Sequence, residues 1–220
     1  METETGTDTL RIMILTDHES RLLYDYYEPE KLEGVELVIY CGDLDPGYLS
    51  FFATVCHAPL LYVRGNHDEG YADQPPEGCI CIEDTIYVHN GVRIMGLGGS
   101  MEYIPRSANQ YTERAMARRI RKMRWKLWKH KGFDILVTHA PAYQFHDMED
   151  LPHRGFACFR GLMEKYRPKL FVHGHVHANY GGAFKRTDRF GDTLVVNGFE
   201  YWMVEYPEKE SVQPCLNAGE

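Results

Sequence analysis

The sequence predicts an α/β fold in which two packed β-sheets carry helices on their outer faces. Short apolar runs rich in β-branched residues alternate with helical segments. This alternation falls in two separate blocks, and further hairpin-like segments lie between and after them. In chain order the pattern predicts a strand over 10–16, a helix over about 19–33, a strand over 36–41, a helix over about 47–56 and a strand over 60–64. Short strands follow around 79–82, 85–89 and 92–97, then one long helix over about 110–131. The second block continues with a strand over 133–138, a helix over about 155–167 and a strand over 169–173. The stretch 179–206 reads as β, with Phe190-Gly191-Asp192 as a turn and strands at Leu194–Asn197 and Tyr201–Tyr206.

At 220 residues, 44% of them hydrophobic, the chain is long enough for one domain with a real core, taken here as residues 10–220. Residues 1–9 are polar, are expected to be frayed, and lack the basic and apolar regions of a secretory signal. No apolar run approaches the ~20 residues of a membrane span, so a soluble, cytoplasmic protein with no membrane contact is expected. The six cysteines (Cys41, Cys56, Cys79, Cys81, Cys158, Cys215) form no CxxC pair, and buried reduced thiols are expected.

The net charge of −8 hides an asymmetry. Residues 113–131 hold nine Lys/Arg against one Glu, with Met116, Ile120, Met123, Leu127 and Trp128 at helical spacing. The plain reading is a surface helix with a solvated basic face; the sharper one is a face that attracts phosphate-rich substrates or nucleic acid. No clear platform of stacking aromatics selects the second.

The most informative stretch is Gly174-His175-Val176-His177, one residue after the run Leu170–Val172. Histidine is the commonest metal ligand among side chains, and a preceding glycine lets the backbone turn at a strand end. Four more apolar runs end in metal-type residues: Asp17-His18-Glu19, Gly42-Asp43, Gly65-Asn66-His67-Asp68 and His139. In open α/β folds ligands bind beyond the carboxyl ends of strands, so these five ends are expected to converge on one cleft.

This ordered set resembles the calcineurin-like metallophosphoesterase superfamily, in its bacterial type. That pattern runs D-x-H, G-D, G-N-H-D/E, a strand-end His, and G-H-x-H; here it spans residues 17–177. The resemblance implies an α/β/β/α sandwich of two mixed sheets. It also implies a dinuclear metal site that hydrolyses phosphate esters by attack of a metal-bridging hydroxide. Asp43 would bridge the ions. One ion would take Asp17, Asp43, His177 and a further ligand from the first motif; the other would take Asp43, Asn66, His139 and His175. Asn66 would bind through its amide oxygen and leave its NH₂ to face phosphate. His67 would serve as general acid, its other ring nitrogen held by Asp68 or Asp45.

The first motif departs from the pattern: His18 takes its middle place and Glu19 its third. Extended backbone sends neighbours to opposite sides, so Glu19 is expected to join Asp17 as a ligand. The alternative is a charge at a helix N-terminus. An oxygen-rich set favours manganese, with iron, zinc and magnesium as alternatives. His153 and Arg154, in the polar loop 143–154, are expected to bind phosphate oxygens. Gly96–Ser100 lacks the lysine and spacing of a phosphate-binding loop and reads as a turn bordering the cleft. Asn197-Gly198 is assigned no chemistry.

Several functions fit these motifs. A metal-dependent phosphoesterase comes first, with a slight preference for small phosphodiesters over phosphomonoesters, and a small phosphorylated molecule as substrate. Nucleic acid is not favoured, given the acidic remainder of the chain. The second reading is a catalytically silent scaffold or binding protein on the same fold. A protein phosphatase ranks low, because Asp45-Pro46-Gly47 does not reproduce the longer second motif of the Ser/Thr phosphatases. Oligomeric state is not readable.

Overall fold

The computed structural model describes residues 9–180 and 184–207. Two mixed sheets dominate it. The first is built from β1 (Leu10–Thr16), β2 (Leu37–Tyr40), β3 (Leu60–Tyr62), β4 (Ile80–Cys81) and β13 (Glu200–Tyr206), in the order β13-β1-β2-β3-β4. The second is built from β5 (Thr85–His89), β6 (Val92–Leu97), β9 (Ile135–Thr138), β10 (Leu170–His173), β11 (Thr187–Phe190) and β12 (Thr193–Asn197), in the order β11-β12-β10-β9-β6-β5. A small parallel pair, β7 (Ser100–Met101) and β8 (Gln110–Tyr111), stands apart. The helices are α1 (Pro46–Val55), α2 (Glu113–Lys122), α3 (Arg124–Lys129) and α4 (Ala157–Tyr166).

The two-residue period of the strands builds the layers. In β1, Ile12 and Ile14 face Leu37, Ile39, Ile135, Val137 and Val172 in a core between the sheets. Met13 and Leu15 face the other way, against Leu49 and Phe52 of α1. On the far side of the second sheet, Leu136, Phe171 and Val195 pack on Met116, Leu127, Phe159 and Leu162. The order is therefore helix, sheet, sheet, helix, as expected. Strands buried on both faces explain why the runs at 37–40, 135–137 and 170–172 are continuously apolar.

Two helices differ from expectation. Residues 19–33 form turns and one 3-10 turn at Pro29–Leu32, with no α-helix. Aromatic residues favour a helix little, and here Tyr24 and Tyr27 pack edge-on against Phe51 while Pro29 interrupts the chain. The long basic helix starts at Glu113, where the Thr112 side chain accepts the Ala115 N–H at 3.2 Å. It divides at Met123 (ψ −3°) into α2 and α3.

Among the described residues the cysteines are free. Cys41 and Cys56 are buried as expected, but Cys81 is exposed because its short strand forms the sheet edge. Cys215 and residues 1–8 lie outside the described residues. Among the described residues no helix is long and apolar enough to cross a membrane.

Candidate metal centre

The parallel strands β1, β2 and β3 of one sheet and β9 and β10 of the other end at the same edge, and the loops leaving them meet. Three of the loop residues sit at positive φ: Asp17 (62°), Asp43 (64°) and His175 (69°). Left-handed backbone costs energy in an L-residue and clusters where function over-determines it. Here it turns the chain sharply at the strand end, so that each side chain points into the junction.

Glycines let these loops approach one another. Gly42 has φ 109°, and a Cβ there would lie 2.5 Å from the Gly65 nitrogen and 2.6 Å from His139 Nδ1. A Cβ on Gly65 would collide with the Asp43 carboxylate, and one on Gly174 with Thr16 Oγ1 and the Asp17 carboxylate. Only glycine at these positions allows ligand-type groups from separate strands to come into contact.

Asp43, His139 and His175 offer ligand atoms that all lie within 4.8 Å of one another. His139 Nε2 is 3.2 Å from Asp43 Oδ2 and 3.0 Å from Asn66 Oδ1. Its Nδ1 meets the Cys41 carbonyl at 2.8 Å, and His175 Nε2 meets the Pro152 carbonyl at 2.7 Å. A carbonyl accepts only, so each ring carries its N–H there. That leaves His139 Nε2 and His175 Nδ1 as the nitrogens not tied to a backbone carbonyl, the arrangement of a metal-binding histidine held by its other nitrogen. Asp17, its side chain fully buried, pairs with His177 Nε2 at 3.4 Å.

The electrostatics suit a cation. Burial alone would raise the Asp43 carboxyl, but His139, the His67 N–H bond and the His67 ring hold it down to about 2. Burial would lower His139, yet the charges of Asp43 and Asp17 push it up to about 9. His175, buried and beside His139, falls to about 3 and stays neutral. Without a metal, a proton on His139 therefore balances the carboxylates. Two carboxylates, an amide oxygen and three imidazoles are donors that borderline divalent cations accept, and these residues fit such ions.

Over residues 10–179 the sequence matches the calcineurin-like phosphoesterase family. The chain belongs to the calcineurin-like phosphoesterase family. Its fold agrees with that of TT1561 of Thermus thermophilus, with a TM-score of 0.60 at 16% identity over 87% of this chain and 90% of that one. It also agrees with GAP50, the anchor in the inner membrane complex of Plasmodium, with a TM-score of 0.51 at 14% identity over 86% and 71% of the two chains. At such identities the likeness is one of fold. A search of the curated proteins found no match.

Other phosphoesterase-motif residues lie as follows. The exposed His67 donates its backbone N–H to Asp43 Oδ1 at 2.8 Å. Neither carboxylate expected to hold its ring does so. Asp68 is buried and accepts from the Asp43 and Gly65 N–H groups and the Tyr40 hydroxyl, at 2.9, 2.7 and 3.1 Å. Burial and the nearby Asp43 push its carboxyl up to about 6. Asp45 caps α1 by accepting the Gly47 N–H at 2.7 Å. One of the two N–H groups of the Asn66 amide is taken, since its Nδ2 donates to the Tyr103 hydroxyl at 3.2 Å.

Glu19 is half-buried, and its carboxyl is raised first by burial and then by Asp45. Like Asp17 and His177, it lies outside the close cluster of Asp43, His139 and His175. The alternation argument for Glu19 fails physically, because Asp17 is left-handed and residues 17–18 bend. His153 borders the site: its ring centroid is 5.2 Å from that of His175, and Asp150 holds its Nδ1 at 2.6 Å. Arg154 instead lies over the Tyr143 ring at 5.5 Å, in a cleft shared with Asp147, Glu149 and Asp150.

Two contacts carry no separate sign in the sequence: Tyr103 on Asn66, and Tyr180 stacked on His177 at 4.7 Å. Of the turn expected over Gly96–Ser100, only Gly98-Gly99 lies between strands, since Gly96 and Leu97 end β6 and Ser100 begins β7; the Gly99 N–H donates to the Arg64 carbonyl at 2.7 Å. Asn197 has a structural role: its Nδ2 donates to the Val176 carbonyl at 2.7 Å and steadies the His175–His177 loop.

Proposed function

We propose that this protein hydrolyses phosphate esters, with small phosphodiesters preferred, at a centre of two divalent ions. Manganese is favoured; iron, zinc and magnesium are alternatives. The observation that supports this reading is the orientation of His139 and His175, each with one ring nitrogen given to a backbone carbonyl and the other left toward Asp43. Asp43, Asn66, His139 and His175 would hold one ion, and Asp17, Asp43 and His177 the other. Glu19 would be the further ligand of that second ion. Divalent ions at such a site neutralise phosphate charge and lower the pKa of bound water towards ~7.

The chain's own residues supply the rest. Asp43 accepts the His67 backbone N–H, and the His67 ring is exposed to an incoming ester. From there it donates a proton to the departing ester oxygen. Tyr103 keeps the Asn66 amide oxygen turned to His139 by accepting its NH₂. His153, held by Asp150, binds a phosphate oxygen beside His175. Arg154 reaches the same phosphate only if it leaves Tyr143.

The test is hydrolysis of a bis-aryl phosphate and an aryl monophosphate with added manganese, with Asp43→Ala as control. Metal-dependent turnover that the variant abolishes is expected. Tight metal binding without turnover of any ester would favour a binding protein on this fold.

A further inference from the structure

We propose that a groove on the basic helices α2 and α3, remote from the metal centre, binds single-stranded nucleic acid. Trp125 and Trp128 are 68% and 69% exposed, on a helix whose inward residues Met123 and Leu127 are buried. Their rings stack on each other, centroids 4.7 Å apart at 28°. They line a groove of about 1000 Å³ whose other wall is Tyr166 at the end of α4. Gly132, at φ 96°, turns the chain beneath that ring, and its missing Cβ would lie only 3.1 Å from it.

Cations rim the groove: Arg124, Lys129, Lys131 and Lys165. Exposed Arg114, Arg118, Arg121 and Lys122 extend the positive charge along α2. Arg119 is not part of this surface, since it is engaged with Asp84 and the Gly98 carbonyl. Lys126 is likewise turned away, to the Asp84 carbonyl.

Exposed aromatic planes beside a track of cations are what a single strand needs. Its bases stack without regard to sequence, and its phosphates meet the lysines and arginines. The remainder of this acidic chain repels a polyanion, which confines binding to this strip. The groove is not the reaction site. It lies where α3 and α4 lead into the N-terminal ends of β9 and β10, whereas the metal-type loops leave the C-terminal ends of those strands. The site therefore anchors the protein on a strand.

Anisotropy of a labelled oligothymidylate of about 20 nucleotides, titrated at low salt with chelator present, tests this independently of any hydrolysis. Binding at roughly micromolar concentration is expected, falling steeply with salt. Tryptophan emission should be quenched on binding. Trp128→Ala should weaken binding about tenfold, with the fold verified by circular dichroism. The double variant Lys129→Glu/Lys131→Glu, which keeps both rings, should weaken it further and flatten the salt dependence. No binding, or binding that these variants leave unchanged, would overturn the proposal. Binding to phosphatidylserine vesicles but not to the oligonucleotide would overturn it in favour of a lipid surface.

Discussion

The carboxylate of Asp17 accepts the backbone N–H of His175, with both oxygens within 3.0 Å of that nitrogen. This bond joins the first motif to the last across the two sheets, since Asp17 follows β1 and His175 follows β10. The same carboxylate accepts the Thr16 hydroxyl at 2.6 Å. It leaves no room for a side chain at position 174.

Gly174→Ala should therefore separate the two motifs. The added methyl meets Thr16 and Asp17, whose positions are fixed by the sheet, so the loop must move. Overpacking of this kind costs about 1–3 kcal/mol. Denaturant unfolding should read that loss, together with a loss of metal affinity larger than in a surface control such as Gly161→Ala. At Gly161 an added Cβ meets nothing within 4 Å.

Metal uptake should release a proton. His139 is held at about 9 in the metal-free protein, so near pH 7.5 it carries a proton that must leave before Nε2 can coordinate. Calorimetric titration in two buffers of different ionisation enthalpy should show about one proton released per chain. Apparent affinity should rise with pH and level off near 9. Proton-independent binding would mean that His139 is not a ligand.

His67→Ala should slow esters with poor leaving groups far more than activated aryl esters, because only the former need a proton on the departing oxygen. A loss of about 10²-fold or more is expected for alkyl esters. Equal losses across a leaving-group series would contradict the proton-donor role.

Far from the centre, Arg93 donates to Asp134 from its backbone N–H and from Nε, both at 2.8 Å. Burial would raise the Asp134 carboxyl, but these bonds win and hold it below its usual value. A depressed folded-state value means stability that is present above the unfolded value of about 3.9 and lost as pH falls through the folded one. The pair is part-exposed, so after screening Asp134→Asn should cost about 1 kcal/mol at pH 7. That difference should shrink as pH falls below the unfolded value of about 3.9 and through the depressed folded one, as read by thermal unfolding across pH.

The sheets and the metal-type residues were legible in the sequence for one reason. Strands buried on both faces must be continuously apolar, and the residues that end them must then be at the cleft. Leu170–Val172 followed by Gly174-His175 is such a case, and so is Ile135–Val137 followed by His139. What resisted reading depended on tertiary contacts. The stretch 19–33 has helical-looking spacing, but its tyrosines pack on α1 instead. Glu19 could not be oriented because the left-handed turn at Asp17 breaks the alternation. Tyr103 reaches Asn66 from 37 residues away, and no local pattern encodes that contact. Trp128 falls by its spacing in the inward apolar stripe, yet it faces outward beside Trp125, because Met123 and Leu127 already fill the space beneath.

The central claim is that Asp17, Asp43, Asn66, His139, His175 and His177 hold a pair of divalent ions. Elemental analysis of purified protein equilibrated with manganese and then desalted measures it directly. The account predicts about two ions per wild-type chain and a near-complete loss in Asp43→Ala, the one residue common to both sets. A wild-type chain that retains no ions, or an Asp43→Ala chain that retains both, would contradict it.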